Sequence, residues 1–435
     1  MTTLLDETHD PAAGSWVAGA SGHPEFPIQN LPLGRIAREG AEHVVTAIGD
    51  SVLDLTALAA AAGLPAEAAR ALQPLAGGSL VPLMEAGPPA SRALRRALFA
   101  LLREQALQAV RDAVAGRLLP RAQQTLLLPC QPPTFADFYS SIHHARRIGA
   151  LVRPDAPLMP NYTYLPVGYH GRSTTVFASG HAFARPRGQV VEPDQRVVYA
   201  PCRRLDYEAE LGFLVGAPSR SGEPVPLARA REHLFGVAML NDWSARDIQF
   251  WEYAPLGPFL GKSFASTLGG WVVTREALEP FWVAPPWDAG HRLLPHLDAP
   301  GERERGGLNV TVEVYLSSER MRTQGLPRHR LSTSNCADAF WTVGQMLAHC
   351  TSNGAHLAAG DLIGSGTLSG PGDDSRACLM EMTAGGKTAF ALPGGEQRTF
   401  VEDGDEITIA GWCEAPGRAR IGLGEATARV LPACA

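Results

Sequence analysis

The sequence predicts a mainly β protein, and three observations carry that prediction. Forty-five glycines and 35 prolines punctuate the 435 residues. The apolar segments between them are mostly shorter than a helix needs, and several alternate polar with apolar residues. Short strands at such regular intervals point to a sandwich, roll or barrel rather than a doubly wound α/β sheet.

In chain order, the first clear strand is AEHVVTAI at 41–48. Residues 91–115 have helical apolar spacing, with Ser91 as an N-cap and Gly116 as the stop. Prolines in LLPRAQQTLLLPCQPPT mark a linker, so the chain divides into an N-terminal domain (1–118), a linker (119–133) and a C-terminal domain (134–435). TFADFYSSIHHARRIG reads as a helix from Thr134 to Gly149, which sets Asp137 and His144 on one face, seven residues apart, and turns His143 away. Beyond it TTVFASG, EAELGFLVG, FGVAML, GGWVVT, LNVTVEVYL, DLIGSG and EITIAGW read as strands between Gly and Pro turns. The echo between GDLIGSG and GDEITIAG amounts to two similar entries into strands, and no internal repeat stands out.

Composition narrows the partners. A formal charge of -6, from 38 basic and 44 acidic residues without a block of either sign, offers no footprint for nucleic acid or anionic lipid. A small-molecule substrate is expected. The acidic opening MTTLLDETHDP does not resemble a secretory signal, and no window reaches the apolar length of a membrane span, so a cytoplasmic protein is expected. Seven scattered cysteines without a CxxC pair read as buried free thiols. GxSxG, HExxH and a dinucleotide fingerprint after a strand are all missing, which removes the best evidence for a serine hydrolase, a zinc peptidase or a dehydrogenase.

Four carboxylates draw attention. In LDYEAELGFLV, Glu208 and Glu210 leave the same face of a strand that runs on into apolar sequence. Two carboxylates there repel each other unless a cation lies between them. Asp242 stands at the polar tip NDWSARDIQ that follows FGVAML, and Asp137 completes an all-oxygen set suited to Mg²⁺ or Ca²⁺ rather than zinc. Spacing leaves their convergence open: Asp137 alone fits a helix first turn, and the glutamate pair alone fits a solvated face. Arg246 and Gln249, in the same tip, are candidates for holding an anionic substrate or transition state. WEYAPLGPFLGKSF carries Tyr253 and Lys262, LPVGYHGR carries Tyr169, His170 and Arg172, and the glycine-rich GSGTLSGP carries Thr367 but lacks a P-loop lysine. Glu381, after CLM, fits either a half-buried strand carboxylate or an exposed one.

In order, PIQNLPLG, DFYSS, MPNYTYLPVGYHGR, NDWSARDIQFWEYAPLGPFLGKSF, GDLIGSGTLSGP and VEDGDEITIAGWC resemble the fumarylacetoacetate hydrolase family over nearly the whole chain. The resemblance implies a small N-terminal SH3-like barrel, a larger C-terminal β-sandwich roll holding the active site, and a homodimer. It implies hydrolysis of a carbon–carbon bond in a β-diketo acid, releasing fumarate and acetoacetate at the end of tyrosine breakdown. It assigns a divalent metal to Asp137, Glu208, Glu210 and Asp242. It makes His144 the water-activating base and Glu381 its carboxylate partner, and it gives Lys262, Arg246 and Gln249 the developing negative charge. Substrate contacts fall on Tyr139, Arg153, Tyr169, Gln249, Tyr253 and Thr367.

Ile142 and His143 depart from the Arg and Gln expected there, and Ala265-Ser266 departs from Gly-Thr. Two rivals are weighed against this. An acylpyruvate hydrolase, decarboxylase or isomerase of the same superfamily is disfavoured by the YHGR and SARDIQ stretches. A noncatalytic keto-acid or metal binder is disfavoured by the intact His144, Glu381 and Lys262.

Overall fold

A computed structural model describes residues 5–288 and 290–434, so the first four residues of MTTLLDETHDP lie outside it. Near the N-terminus, Leu33–Arg38, Ala41–Ile48, Ser51–Asp54 and Leu118–Pro120 form an antiparallel four-stranded sheet in that order. AEHVVTAI therefore starts and stops where its pattern ends. The two residues joining it to the preceding strand, Glu39 and Gly40, have φ of +53° and +80°, the left-handed backbone that a tight hairpin needs.

The helix expected over 91–115 is interrupted and starts earlier. Helices occupy Val81–Leu102 and Gln108–Ala115, the first kinked at Gly87, where φ is +75° and Pro88 and Pro89 follow. Proline is suited to a helix's first turn, so the regular part begins there. Ser91 is buried inside, and its hydroxyl donates to Glu276 Oε2 at 2.7 Å instead of capping.

An eight-stranded sheet builds most of the C-terminal half. Its path runs Gly168–His170, Phe135–Phe138, Leu362–Gly364, Ala209–Val215, Leu234–Asp242, Ser266–Leu268 and Val176–Ala178, and Val273–Thr274 also pairs with Leu234–Asp242. Both central strands, Ala209–Val215 and Leu234–Asp242, are buried along their whole length, which is why their sequences are continuously apolar rather than alternating. A second sheet, ordered His329–Asn335, Thr311–Ser317, Glu406–Cys413, Ile421–Leu431 and His181–Ala184, packs onto the 234–242 strand. Its strands alternate in burial, as in BBBieBiBeBe for Ile421–Leu431. The segments read as strands beyond residue 150 all carry strands, and the fold is mainly β.

The helix expected over 134–149 is two elements. Phe135–Phe138 is a strand, buried throughout and paired on both edges, and the helix is Ile142–Val152 with Ser141 as its N-cap. Four residues are too few to show a period, and pairing with two distant segments decides the outcome. Asp137 and His144 thus come together through tertiary structure, not helical phase. Glu381 likewise sits in a short helix, Leu379–Met382, rather than on a strand. Five cysteines are buried as expected, Cys350 is half-buried and Cys434 is exposed. No described helix is long and apolar enough to cross a membrane.

Candidate active site

Adjacent strands bring carboxylates to one end of the eight-stranded sheet. Asp137 pairs with Gly364, whose strand pairs with Ala209–Val215, and Asp242 ends the strand after that. Asp137, Glu210 and Asp242 are buried, with carboxylate oxygens within 4.8 Å of one another. A Cβ at Gly364 would lie 2.7 Å from Asp137 Oδ1 and 3.0 Å from Glu210 Oε2. Glycine there keeps the space between the two carboxylates open.

Three cations share the cluster. Lys262 Nζ donates to Glu208 Oε2 at 2.5 Å and to Asp242 Oδ2, while Arg246 Nη1 reaches Glu208 Oε1 at 2.7 Å. Arg172 donates to Asp137 Oδ2 at 2.7 Å and to Asp242 Oδ1, and its guanidinium lies over the rings of Phe135 and Tyr169. Burial pushes the Asp137 carboxyl up to about 6 even against the Arg172 charge. Burial also raises Glu210 well above the usual range, and the charges of Asp137 and Asp242 add to it. Glu208 goes the other way: burial opposes its ionisation, but Lys262 and Arg246 together hold it well below the carboxylate range.

Asp137 Oδ1 and Glu210 Oε1 are buried without a hydrogen-bond partner among the described residues. Orphaned oxygens in a crowded all-carboxylate set fit a hard divalent cation of the Mg²⁺ or Ca²⁺ kind. Glu208 stands outside the tight trio, with both its oxygens engaged by Lys262 and Arg246. Ser266 Oγ approaches Asp242 Oδ1 at 3.4 Å, so the hydroxyl at that position reaches the cluster.

His144 faces the cluster from the helix Ile142–Val152 and is 3% exposed. Its Nδ1 bonds Glu381 Oε1 at 2.5 Å, which leaves Nε2 as the free ring nitrogen. Ser369 Oγ donates to the same Glu381 oxygen at 2.5 Å, and Arg147 Nη1 to the other at 3.1 Å. Burial works against a charged Glu381, but the His144 charge and these hydrogen bonds outweigh it and bring the carboxyl down to about 2. His144, Cys378 and Glu381 could in principle also hold a metal. Burial, with the Asp206 and Glu381 charges, keeps the Cys378 thiol protonated, so its sulfur serves as a donor 3.5 Å from Glu381 rather than as a ligand. His143 is half-buried and pushed down by burial and the Arg147 charge.

A cleft of about 460 Å³ opens over these groups. Asp137, Tyr139, His144, Arg153, Tyr169, Glu208, Arg246, Gln249, Tyr253, Lys262 and Thr367 line it, and Glu210, Asp242 and Glu381 lie just behind. Every candidate site residue thus converges here. Of the polar tip, Arg246 begins the helix Arg246–Glu252 and Gln249 follows one turn on, the Gln249 Oε1 accepting from Arg246 at 3.3 Å. Arg153 Nε and Thr367 Oγ1 are buried without partners among the described residues.

Sequence reasoning placed Arg172 in a turn and left it out of the site. Its φ of +58° right after Gly171 aims the side chain into the carboxylates, and the only signal was an arginine in the YHGR turn. Arg147, Ser369 and Asp206 were also missed, because their contacts span up to 234 residues of chain.

Residues 29–129 match the fumarylacetoacetase N-terminal family and residues 134–431 the fumarylacetoacetate hydrolase C-terminal family. The chain is 40% identical over 419 residues to fumarylacetoacetase of Bos taurus, covering 94% of this chain and 97% of the relative. It is 39% identical over 419 residues to the Homo sapiens fumarylacetoacetase, with the same coverage of both. Among solved structures, a fumarylacetoacetate hydrolase from psychrophilic Exiguobacterium antarcticum aligns over 92% of this chain and 99% of its own, with a TM-score of 0.52 at 17% identity. That structural likeness concerns the fold alone.

Proposed function

This chain belongs to the fumarylacetoacetate hydrolase family and hydrolyses the carbon–carbon bond of fumarylacetoacetate, and from that premise we propose which of its residues do the work. The observation that carries the reading is the 2.5 Å bond from His144 Nδ1 to a Glu381 held ionised, beside a cluster of buried carboxylates. With Nδ1 committed to Glu381, Nε2 takes a proton from water as the water oxygen adds to the substrate carbonyl, the arrangement of a base oriented by a carboxylate. The bond to the acetoacetate carbon then breaks, and that carbon takes up a proton to give acetoacetate and fumarate.

Asp137, Glu208, Glu210 and Asp242 would hold a divalent cation, Mg²⁺ or Ca²⁺. When bound, such a cation supplies Lewis-acid polarisation of the diketone oxygens and a template for them. Lys262, Arg246 and Gln249 meet the developing negative charge as donors fixed before reaction, one of which typically contributes about 100- to 1,000-fold in turnover. Tyr139, Arg153, Tyr169, Tyr253 and Thr367 hold the rest of the substrate, with Arg153 suited to a carboxylate end.

The four-stranded sheet is assigned to an SH3-like N-terminal barrel (1–118) and the two larger sheets to a sandwich roll (134–435). The working unit is a homodimer: Trp251, Tyr253, Leu256, Phe259 and Leu260 expose a run of large apolar side chains, of which Tyr253 and Leu256 line the cleft, Leu256 95% exposed. A cytoplasmic role in tyrosine catabolism completes the reading.

Loss of fumarylacetoacetate absorbance by the purified protein and by His144→Ala tests it. Turnover by the wild type and a fall of about 100-fold or more in the variant are expected. Equal rates would remove His144 as the base, and inactivity of the wild type toward this substrate would redirect the site to other β-diketo acids.

A further inference from the structure

Asp206 takes no part in the cleft, yet it is fully buried and accepts four hydrogen bonds, as many as Glu381 does. Its Oδ2 accepts from Arg246 Nε at 2.9 Å and from Met380 N at 3.0 Å, and Arg246 Nη2 lies 2.9 Å away. Its Oδ1 accepts from Leu379 N at 2.7 Å and from Tyr207 N at 2.9 Å. Leu379 and Met380 open the four-residue helix that carries Glu381, a helix with no side-chain cap of its own. On the far side, Arg246 reaches Glu208 and Gln249.

We infer that Asp206 is a positioning residue that locks two halves of the active site together: Arg246, which faces the substrate, and the Glu381 helix, which orients His144. The inference rests on the roles given above to Arg246 and Glu381. The chemistry requires a carboxylate. Oδ2 meets the Arg246 guanidinium and the Met380 N–H, and Oδ1 meets the Leu379 and Tyr207 N–H groups, so every neighbour is a donor. An amide in the same place turns its NH₂ either against Arg246 and Met380 or against Leu379 and Tyr207, and either choice loosens the helix that carries Glu381, the first freeing Arg246 as well.

Asp206→Asn tests this, because it preserves volume while replacing one charged acceptor oxygen by a donor. The expected result is a fall of about 100-fold or more in kcat with KM changed less than tenfold, since groups that act in the transition state are displaced. A purely structural residue would lower the melting temperature and leave the kcat of the folded enzyme in place.

In a double-mutant cycle, Asp206→Asn adds less to Arg246→Gln than its own full loss, because the part of that loss that runs through Arg246 is already spent while the part that runs through the Glu381 helix remains. A kcat within threefold of wild type or full additivity with Arg246→Gln would overturn the inference. Should Asp206→Asn fail to fold, Asp206→Glu, which keeps the charge but displaces both carboxylate oxygens, carries the test, and a kcat within threefold of wild type refutes the link. Full activity of His144→Ala, measured alongside, would show that the base assignment and not the Asp206 link had failed.

Discussion

Replacing Glu381 by glutamine changes one charge in a site where the structure supplies the magnitude. The carboxyl lies at about 2 against an ordinary 4.5, and an interval of about 2.5 pH units at about 1.36 kcal/mol each comes to roughly 3 kcal/mol. Because the folded value is depressed, this stabilisation is present above about pH 4.5 and is lost as the pH falls towards 2. It should be roughly halved by pH 3. Urea unfolding at pH 7 is therefore expected to show Glu381→Gln less stable than wild type by up to about 3 kcal/mol, with the gap narrowing as the pH falls from 5 to 3. The same variant keeps an acceptor for Ser369 but loses the charge that orients His144, and turnover should drop by about 1,000- to 10,000-fold, the size of effect seen when a triad carboxylate becomes an amide. A gap that does not narrow with falling pH would refute the electrostatic account. Turnover within tenfold of wild type would refute the role of Glu381 as the partner of the base.

Three further outcomes follow from the geometry. Gly364→Ala would set a Cβ 2.7 Å from Asp137 Oδ1, so Mg²⁺ affinity by calorimetry and turnover should each fall tenfold or more while the circular dichroism spectrum is retained; unchanged affinity would show that the strand ends adjust freely. His143→Ala should keep turnover within about threefold of wild type, since the helix directs His144 and not His143 into the cleft, and a large loss would shift the base to the first of the two histidines. Asp242→Asn should stay folded and lose measurable metal affinity together with turnover, and intact calorimetric binding would remove Asp242 from the ligand set.

The strands were legible because their information is local. AEHVVTAI, EAELGFLVG and FGVAML carry apolar runs bounded by turn residues, and each forms its strand within a residue or two of the expected limits. Residues 134–138 were not legible in this way. FADF is buried on both faces and held by partners about 30 and 230 residues away, so its apparent continuity with the following helix misled. His144 lines the cleft and His143 does not, both lying on one helix as expected, even though Asp137 does not.

The candidate site shows the same division between local and distant signals. Glu208, Glu210 and Asp242 could be suspected from carboxylates at the ends of apolar strands, and the resemblance of NDWSARDIQ and GKSF to a known family placed the rest. Arg172 and Asp206 could not be placed, because their meaning lies in contacts with distant segments: one neutralises two of the clustered carboxylates, and the other joins Arg246 to the helix of Glu381.

The most direct test of the central claim is the loss of fumarylacetoacetate absorbance on adding purified protein, repeated after chelation and again after returning Mg²⁺ or Ca²⁺. The account predicts turnover that chelation abolishes and either cation restores, with fumarate and acetoacetate as the products. Undiminished turnover after thorough chelation would contradict the assignment of the carboxylate cluster to a divalent cation.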